Sequence, residues 1–185
     1  MREPSQLFLP VRPSLPSEFP TDESVAWATP RFVTWAGPPP GSTYGGKAII
    51  DHGSEPAFAE LAIIKTLRAN EWDAVWVSQA FGRPKFRDAF WGKPPAPKVP
   101  TSVLNELASL ADARGGSYKG TWDVVAWPAA STEPPLNALR FIESKRSGRD
   151  SIDVEQINWF KVARARGAAN VAFLVVEWTL VEAVT

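Results

Sequence analysis

The 185-residue sequence contains no cysteine, one histidine and one methionine, and its 20 basic and 20 acidic residues cancel at neutral pH. The absence of cysteine excludes disulfide bonds, although it says little about the cellular compartment. The balanced charge argues against a protein that holds nucleic acid mainly through a strong positive field. Any contact with nucleic acid must therefore come from local basic patches.

Long apolar runs are also missing near the N-terminus. The stretch "SQLFLPVRPSLP" is interrupted by proline every few residues, which is typical of neither a signal peptide nor a membrane span. We therefore expect a soluble cytoplasmic protein without membrane association. The length is that of one domain of ordinary size around a single core.

Proline divides the chain into two regions. Nine of the 18 prolines lie in the first 40 residues, a composition that excludes helix and disfavours central sheet. We interpret residues 1–50 as a Pro-rich extended N-terminal arm that packs on the domain through its aromatic residues, with "RFVTW" as an edge strand. Residues 51–185 then form one α/β domain.

Within residues 51–185, apolar periodicity predicts the order α β α β β α β, a mixed sheet flanked by helices of the α/β or α+β class. The first helix is expected in "HGSEPAFAELAIIKTLRANEW", with Ser54 as its N-cap and Pro56 in its first turn. The third helix has Asp153 as N-cap and Gln156 three residues later, the pattern of a capping box. The segment "GRPKFRDAFWGKPPAPKVP" is predicted to be a loop.

The predicted strand "LRFIESK" ends in Glu143 and Lys145, which share a face with core residues because side chains alternate along a strand. If the strand "GTWDVVAW" pairs with it antiparallel, Asp123 faces Glu143. In the same register Val125 faces Phe141. Two adjacent carboxylates repel each other unless a cation lies between them, and such oxygen ligands suit Mg²⁺ or Mn²⁺. The pattern favours a metal site over a solvated strand end with an incidental ion pair.

Two further polar residues have alternative interpretations. Glu60 lies on the apolar side of the first helix, where a carboxylate without a partner is unfavourable. It belongs to the site, forms an internal ion pair with an arginine, or is a glutamate at the edge of the core. Gln156 is either functional or only the return arm of the capping box.

These motifs resemble the PD-(D/E)XK nuclease superfamily and, within it, the virus-type replication-repair nuclease domain, VRR-NUC. The resemblance covers roughly residues 54–181, most of the chain. The residues of this chain that resemble the family's motifs are Glu60 on the first helix, "ARGGSYKGTWD" with Gly120 and Asp123, "FIESK" with Glu143 and Lys145, and Gln156 on the third helix. Trp122 stands where the family usually has proline, and the loop between the two acidic strands is longer than usual.

The resemblance implies a restriction-endonuclease-like core and a metal-dependent nuclease that hydrolyses phosphodiester bonds of DNA, in replication, repair, recombination or phage biology. It implies that Asp123, Glu143 and the backbone carbonyl of Ser144 hold Mg²⁺ or Mn²⁺, with Glu60 at the same ion or a second one. Lys145 would stabilise developing negative charge, and Gln156 would complete the catalytic set. A catalytically silent nucleic-acid- or protein-binding module on the same fold is the alternative.

Basic residues that suit a nucleic-acid backbone occur in three segments. They are Arg83, Lys85, Arg87 and Lys93 in the predicted loop, Arg146 and Arg149 after the Glu-x-Lys strand, and Lys161 on the third helix. DNA is the expected partner, with RNA and a homo-oligomer left open. The alternative interpretation is a solvated surface.

The segment "GSTYGGKA" at residues 41–48 nearly matches a phosphate-binding loop. However, Ala48 replaces the hydroxyl residue that the pattern needs, and prolines rather than a buried strand precede the segment. We therefore expect no nucleotide cofactor.

Overall fold

The computed structural model describes residues 1–9, 11–12, 25–38, 40–41, 43, 46–80, 83–89, 95–167 and 171–183, and at 11–12, 79–80, 83 and 167 it describes the backbone only. Its helices are α1 (Ala59–Arg68), α2 (Thr101–Asp112) and α3 (Val154–Gly167). Its strands are β1 (Val11–Arg12), β2 (Ala26–Ala28), β3 (Arg31–Thr34), β4 (Ile50–Asp51), β5 (Pro56–Ala57), β6 (Trp72–Ala80), β7 (Arg83–Arg87), β8 (Val124–Pro128), β9 (Arg140–Arg146) and β10 (Ala172–Val181). No helix in these ranges is long and apolar enough to cross a bilayer.

The described strands form one mixed sheet in the order β5-β4-β3-β10-β9-β8-β6-β7, and β2 also pairs with β10 and carries β1. β10 runs parallel to β9, β2 and β3, whereas β9, β8, β6 and β7 pair antiparallel in turn. The predicted order is present as α1 β6 α2 β8 β9 α3 β10. The prediction of a mixed sheet flanked by helices is confirmed.

Apolar layers cover both faces of this sheet. One layer contains the buried side of α1 together with Ile142, and the other contains α2, α3, Leu139 and Phe141. The alternation along β9 therefore follows the predicted pattern, because Leu139 and Phe141 lie on one face and Ile142 on the other. Glu143 continues the face that carries Phe141.

The segment predicted to be a loop contains a strand, so that prediction was wrong for residues 83–87. β7 pairs with β6, with Arg87 opposite Trp76 and Arg83 opposite Ala80. Pro84 lies within this strand, and an edge strand tolerates proline because one row of its N–H groups needs no partner in the sheet. β7 lies at such an edge.

The start of α1 also differs from the prediction. Ser54 is not its N-cap, because it has a φ of +65° and lies in the turn between β4 and β5. The Ser54 N–H donates to Asp51 Oδ1 at 2.8 Å, so the local polar side chain stabilises a turn instead of a helix start. Pro56 begins β5, and the helix starts only at Ala59.

The described part of the N-terminal arm belongs to the sheet and the core. β2 and β3 pair with successive parts of β10. The prediction that "RFVTW" forms an edge strand was wrong, because β4 pairs with the other side of β3. Near the N-terminus, Phe8 is buried at 4% exposure in the layer that contains α1.

We expect Phe8→Ala to lower the free energy of unfolding by about 3 kcal/mol, because it removes a buried aromatic side chain and leaves a cavity. The neighbouring Leu9 is 67% exposed. Leu9→Ala is the matched control and should change stability by at most about 0.5 kcal/mol. Chemical denaturation of both variants measures the difference, and equal small effects would show that the arm does not stabilise the domain.

Candidate functional site

A polar pocket of about 470 Å³ opens where β8 begins and β9 ends. Acidic and basic side chains dominate its wall. The lining residues are Gly46, Lys47, Ala48, Ala59, Glu60, Asp123, Glu143, Ser144, Lys145, Arg146, Arg149, Asp150, Gln156 and Trp178. The pocket thus contains all the residues predicted to be catalytic or metal-binding.

Asp123 and Glu143 lie side by side in this pocket. Val125 pairs with Phe141, as predicted, and this register places Asp123 opposite Glu143. The Asp123 N–H donates to Glu143 Oε2 at 3.2 Å, and the Ser144 N–H donates to Asp123 Oδ2 at 3.1 Å. Each carboxylate is therefore fixed by the backbone of the opposite strand.

The environment disfavours two negative charges at this position. Burial, and then the charge of Glu143, raise the pKa of Asp123 well above its ordinary value. Burial also raises the pKa of Glu143, although Lys145 opposes this effect. The pair of carboxylates therefore favours binding of a proton or another cation.

Glu143 has two side-chain partners at the same oxygen. Lys145 Nζ lies 3.0 Å from Glu143 Oε1, and Gln156 Nε2 donates to that oxygen at 2.5 Å. Gln156 also forms the predicted capping box with Asp153, since the two N–H to side-chain oxygen distances are both 2.9 Å. The capping-box interpretation is therefore confirmed, and the same side chain also donates a hydrogen bond to Glu143.

Gly120 sets the distance between α3 and the start of β8. Its φ is +77°, and a Cβ there would lie 2.2 Å from the Glu155 carbonyl carbon. Only glycine allows this close approach. The same contact region contains a hydrogen bond of 3.2 Å from Trp122 Nε1 to the Gln156 carbonyl. These contacts hold the first turn of α3, which contains Gln156, against the start of β8.

Glu60 is 4% exposed and accepts a hydrogen bond from the Lys47 ammonium. The internal ion pair, one of the alternatives, is therefore present, but the partner is a lysine and not an arginine. This lysine belongs to the segment that nearly matches a phosphate-binding loop. Burial, and then the charge of Asp123, raise the pKa of Glu60, while Lys47 opposes the change. Sequence reasoning missed Lys47; the only signal for it was that a buried glutamate needs a partner.

The predicted nucleic-acid-binding residues divide into groups. Arg146 and Arg149 line the pocket, with the Arg146 guanidinium 5.8 Å from the Trp178 ring centroid. Lys85 and Arg87 lie on β7, and Lys161 is exposed on α3. None of these three is among the residues that line the pocket. The side chain of Arg83 and the whole of Lys93 lie outside the described residues.

The donor atoms of the pocket fit the expected metal. Within the described ranges there is no group of three or more His, Cys, Asp or Glu side chains arranged to hold a metal ion. Of the four acids that line the pocket, Asp123 and Glu143 are the two that backbone hydrogen bonds hold side by side. Mg²⁺ is commonly bound by one or two carboxylates together with water and substrate phosphate, so this donor set fits it.

The raised pKa values predict how stability depends on pH. The ordinary pKa is 3.8 for Asp123 and 4.5 for Glu60 and Glu143. Because the folded state binds protons that the unfolded chain releases, the stability of the metal-free protein should fall as the pH rises from about 4 through the raised folded pKa values. Melting temperatures in a chelator measure this fall, which should be smaller in Asp123→Asn. A rise in stability over that range would contradict the electrostatic account.

Comparisons of the chain with protein-family models, with curated proteins and with solved structures each find no match. The resemblance to PD-(D/E)XK nucleases therefore remains a prediction.

Proposed function

We propose that this protein is a Mg²⁺- or Mn²⁺-dependent nuclease that hydrolyses phosphodiester bonds of DNA, on a restriction-endonuclease-like core of the PD-(D/E)XK type. The observation that carries the proposal is the pair of adjacent carboxylates, Asp123 and Glu143, with Lys145 at 3.0 Å from Glu143. An ion pair serving stability alone would need only one acid. Asp123, the second acid, is half-buried beside Glu143. Two negative charges so close together are electrostatically unfavourable, which suggests a cationic ligand.

Asp123 and Glu143 would hold the divalent ion, with the backbone carbonyl of Ser144 as the proposed third donor. When bound, this ion would supply Lewis-acid charge at the scissile phosphate. Gln156 would keep Glu143 in its orientation through the 2.5 Å hydrogen bond. The Trp178 indole N–H donates to Ser144 Oγ at 3.0 Å. This bond fixes the side chain of Ser144, the residue that follows Glu143 on β9.

Lys145 would stabilise negative charge that develops on the phosphate. Its side chain is only 13% exposed, and its contact with Glu143 holds the ammonium beside the acid pair. A preorganised cation in a partly desolvated site stabilises such charge more than one in water. We therefore assign Lys145 an electrostatic role and not that of a general base.

Two arginines in the pocket wall would position the substrate backbone. Arg146 and Arg149 follow Lys145 closely in the chain and line the same pocket, where Arg149 is exposed. Charge contacts of this kind bind phosphate without reading the base sequence. They support nucleic acid as the substrate class.

A cleavage assay on end-labelled linear, flapped and branched DNAs with Mg²⁺ or Mn²⁺ tests the proposal. We expect wild-type protein to cut at least one substrate, and Lys145→Met to reduce the rate roughly 100-fold or more, the usual loss for one electrostatic donor. Lys119→Met is the matched control, because Lys119 is 70% exposed and bonded to Glu155 outside the pocket. DNA binding without cleavage under all metal conditions would instead support the silent binding module.

A further inference from the structure

The N-terminal region contributes a lysine to the pocket, although the catalytic motifs all lie after residue 58. Lys47 lies three residues before β4, and its ammonium bonds to Glu60 in the first turn of α1. The same ammonium lies 5.2 Å from the centroid of the Trp76 ring. Two elements therefore fix Lys47 in position: the buried acid and the aromatic ring.

The contact between Lys47 and Glu60 is asymmetric. The Glu60 side chain is 5% exposed and the Lys47 side chain is 39% exposed. The acid is thus covered by protein, whereas part of the lysine faces the pocket. Partial burial opposes the charged form of Lys47, but the charges of Glu60, Asp123 and Asp150 outweigh it and raise the lysine pKa.

We infer that the Lys47 ammonium occupies the place that a second divalent ion would take beside Glu60, so that the pocket binds one such ion, between Asp123 and Glu143. This inference rests on the proposed function and specifies its metal stoichiometry. Glu143 also bonds to an ammonium, but a second carboxylate, that of Asp123, lies directly beside it. Glu60 and Lys47 instead pair one negative with one positive charge, so a further divalent ion at Glu60 would meet direct repulsion from Lys47. Glu60 then positions Lys47 and is not a metal ligand.

The arrangement of the acids agrees with this assignment. In the described part of the chain, Glu60 does not form a three-acid cluster with Asp123 and Glu143. Glu60 nevertheless lies close enough to Asp123 for its pKa to be raised by that charge. A cation near Glu60 is therefore favourable, and the protein supplies it from its own chain.

Counting bound Mn²⁺ by electron paramagnetic resonance tests the inference without measuring activity. Wild-type protein should bind one ion that depends on Asp123. Lys47→Met removes the ammonium at nearly constant length and should allow a second ion, and Lys47→Arg should keep the count at one. Lys47→Met combined with Glu60→Gln should return the count to one, and it also avoids a buried unpaired carboxylate.

Lys65→Met is the matched control, because Lys65 pairs with Glu55 at 2.6 Å but both side chains are exposed. It should leave the count at one. Two ions in wild type, or one ion in a folded Lys47→Met protein, would overturn the inference while leaving the proposed metal site intact. No ion that depends on Asp123 in wild type would instead overturn the proposed function, and this inference with it.

Discussion

Asp123→Asn is expected to abolish metal-dependent cleavage and to leave the metal-free protein as stable as wild type or more stable. Asparagine has nearly the same shape, and its side-chain oxygen can still accept the Ser144 N–H that now donates to Asp123 Oδ2 at 3.1 Å. Removing one of two like charges should stabilise the metal-free fold by roughly 1 kcal/mol or more. Loss of a charged ligand should remove the metal and, with it, the activity.

The same variant should separate stability from metal binding in a melting experiment. Mg²⁺ or Mn²⁺ should raise the melting temperature of wild type by mass action and that of Asp123→Asn much less. Asp153→Asn is a suitable control, because Asp153 caps α3 and asparagine caps a helix equally well. Strong destabilisation of metal-free Asp123→Asn would indicate that Asp123 stabilises the fold, and cleavage by this variant would remove Asp123 from the catalytic set.

Gly120→Ala should strongly destabilise the fold. Gly120 has a φ of +77°, and a Cβ added there would lie only 2.2 to 2.7 Å from backbone atoms in the first turn of α3. The left-handed conformation costs about 1–2 kcal/mol for alanine, and overpacking adds typically about 1–3 kcal/mol. We expect a loss of roughly 3 kcal/mol in the free energy of unfolding, measured by urea denaturation.

Gly148→Ala separates these two contributions. Gly148 has a similar φ of +71°, but a Cβ there would meet no atom within 4 Å. This variant should therefore lose only about 1–2 kcal/mol, the cost of the backbone conformation. Equal losses in the two variants would show that the close approach of α3 to Gly120 does not determine stability.

The acidic pair and the helix cap could be predicted from the sequence because they depend on local rules. Side-chain alternation and an antiparallel register place Asp123 opposite Glu143. The spacing of Asp153 and Gln156 alone predicts the capping box that the structure contains. The capping box is local to one helix turn, and the acidic pair needs only the pairing of two strands that follow each other in the chain.

The remaining features could not be predicted because they depend on tertiary neighbours. Ser54 fits a helix cap and a turn equally well, and only the pairing of β4 with β5 selects the turn. The basic segment around Pro84 becomes a strand because β6 offers it an edge. Lys47 has no local pattern that points to Glu60. The fold brings the two side chains together in the pocket wall.

We propose that Asp123 and Glu143 form a divalent-ion site, and an anomalous difference map from a crystal soaked in Mn²⁺ would locate the ion. We expect one strong peak within coordination distance of both carboxylates, with Lys47 still bonded to Glu60. Absence of a peak at this pair under saturating Mn²⁺, or a peak only elsewhere on the chain, would contradict it.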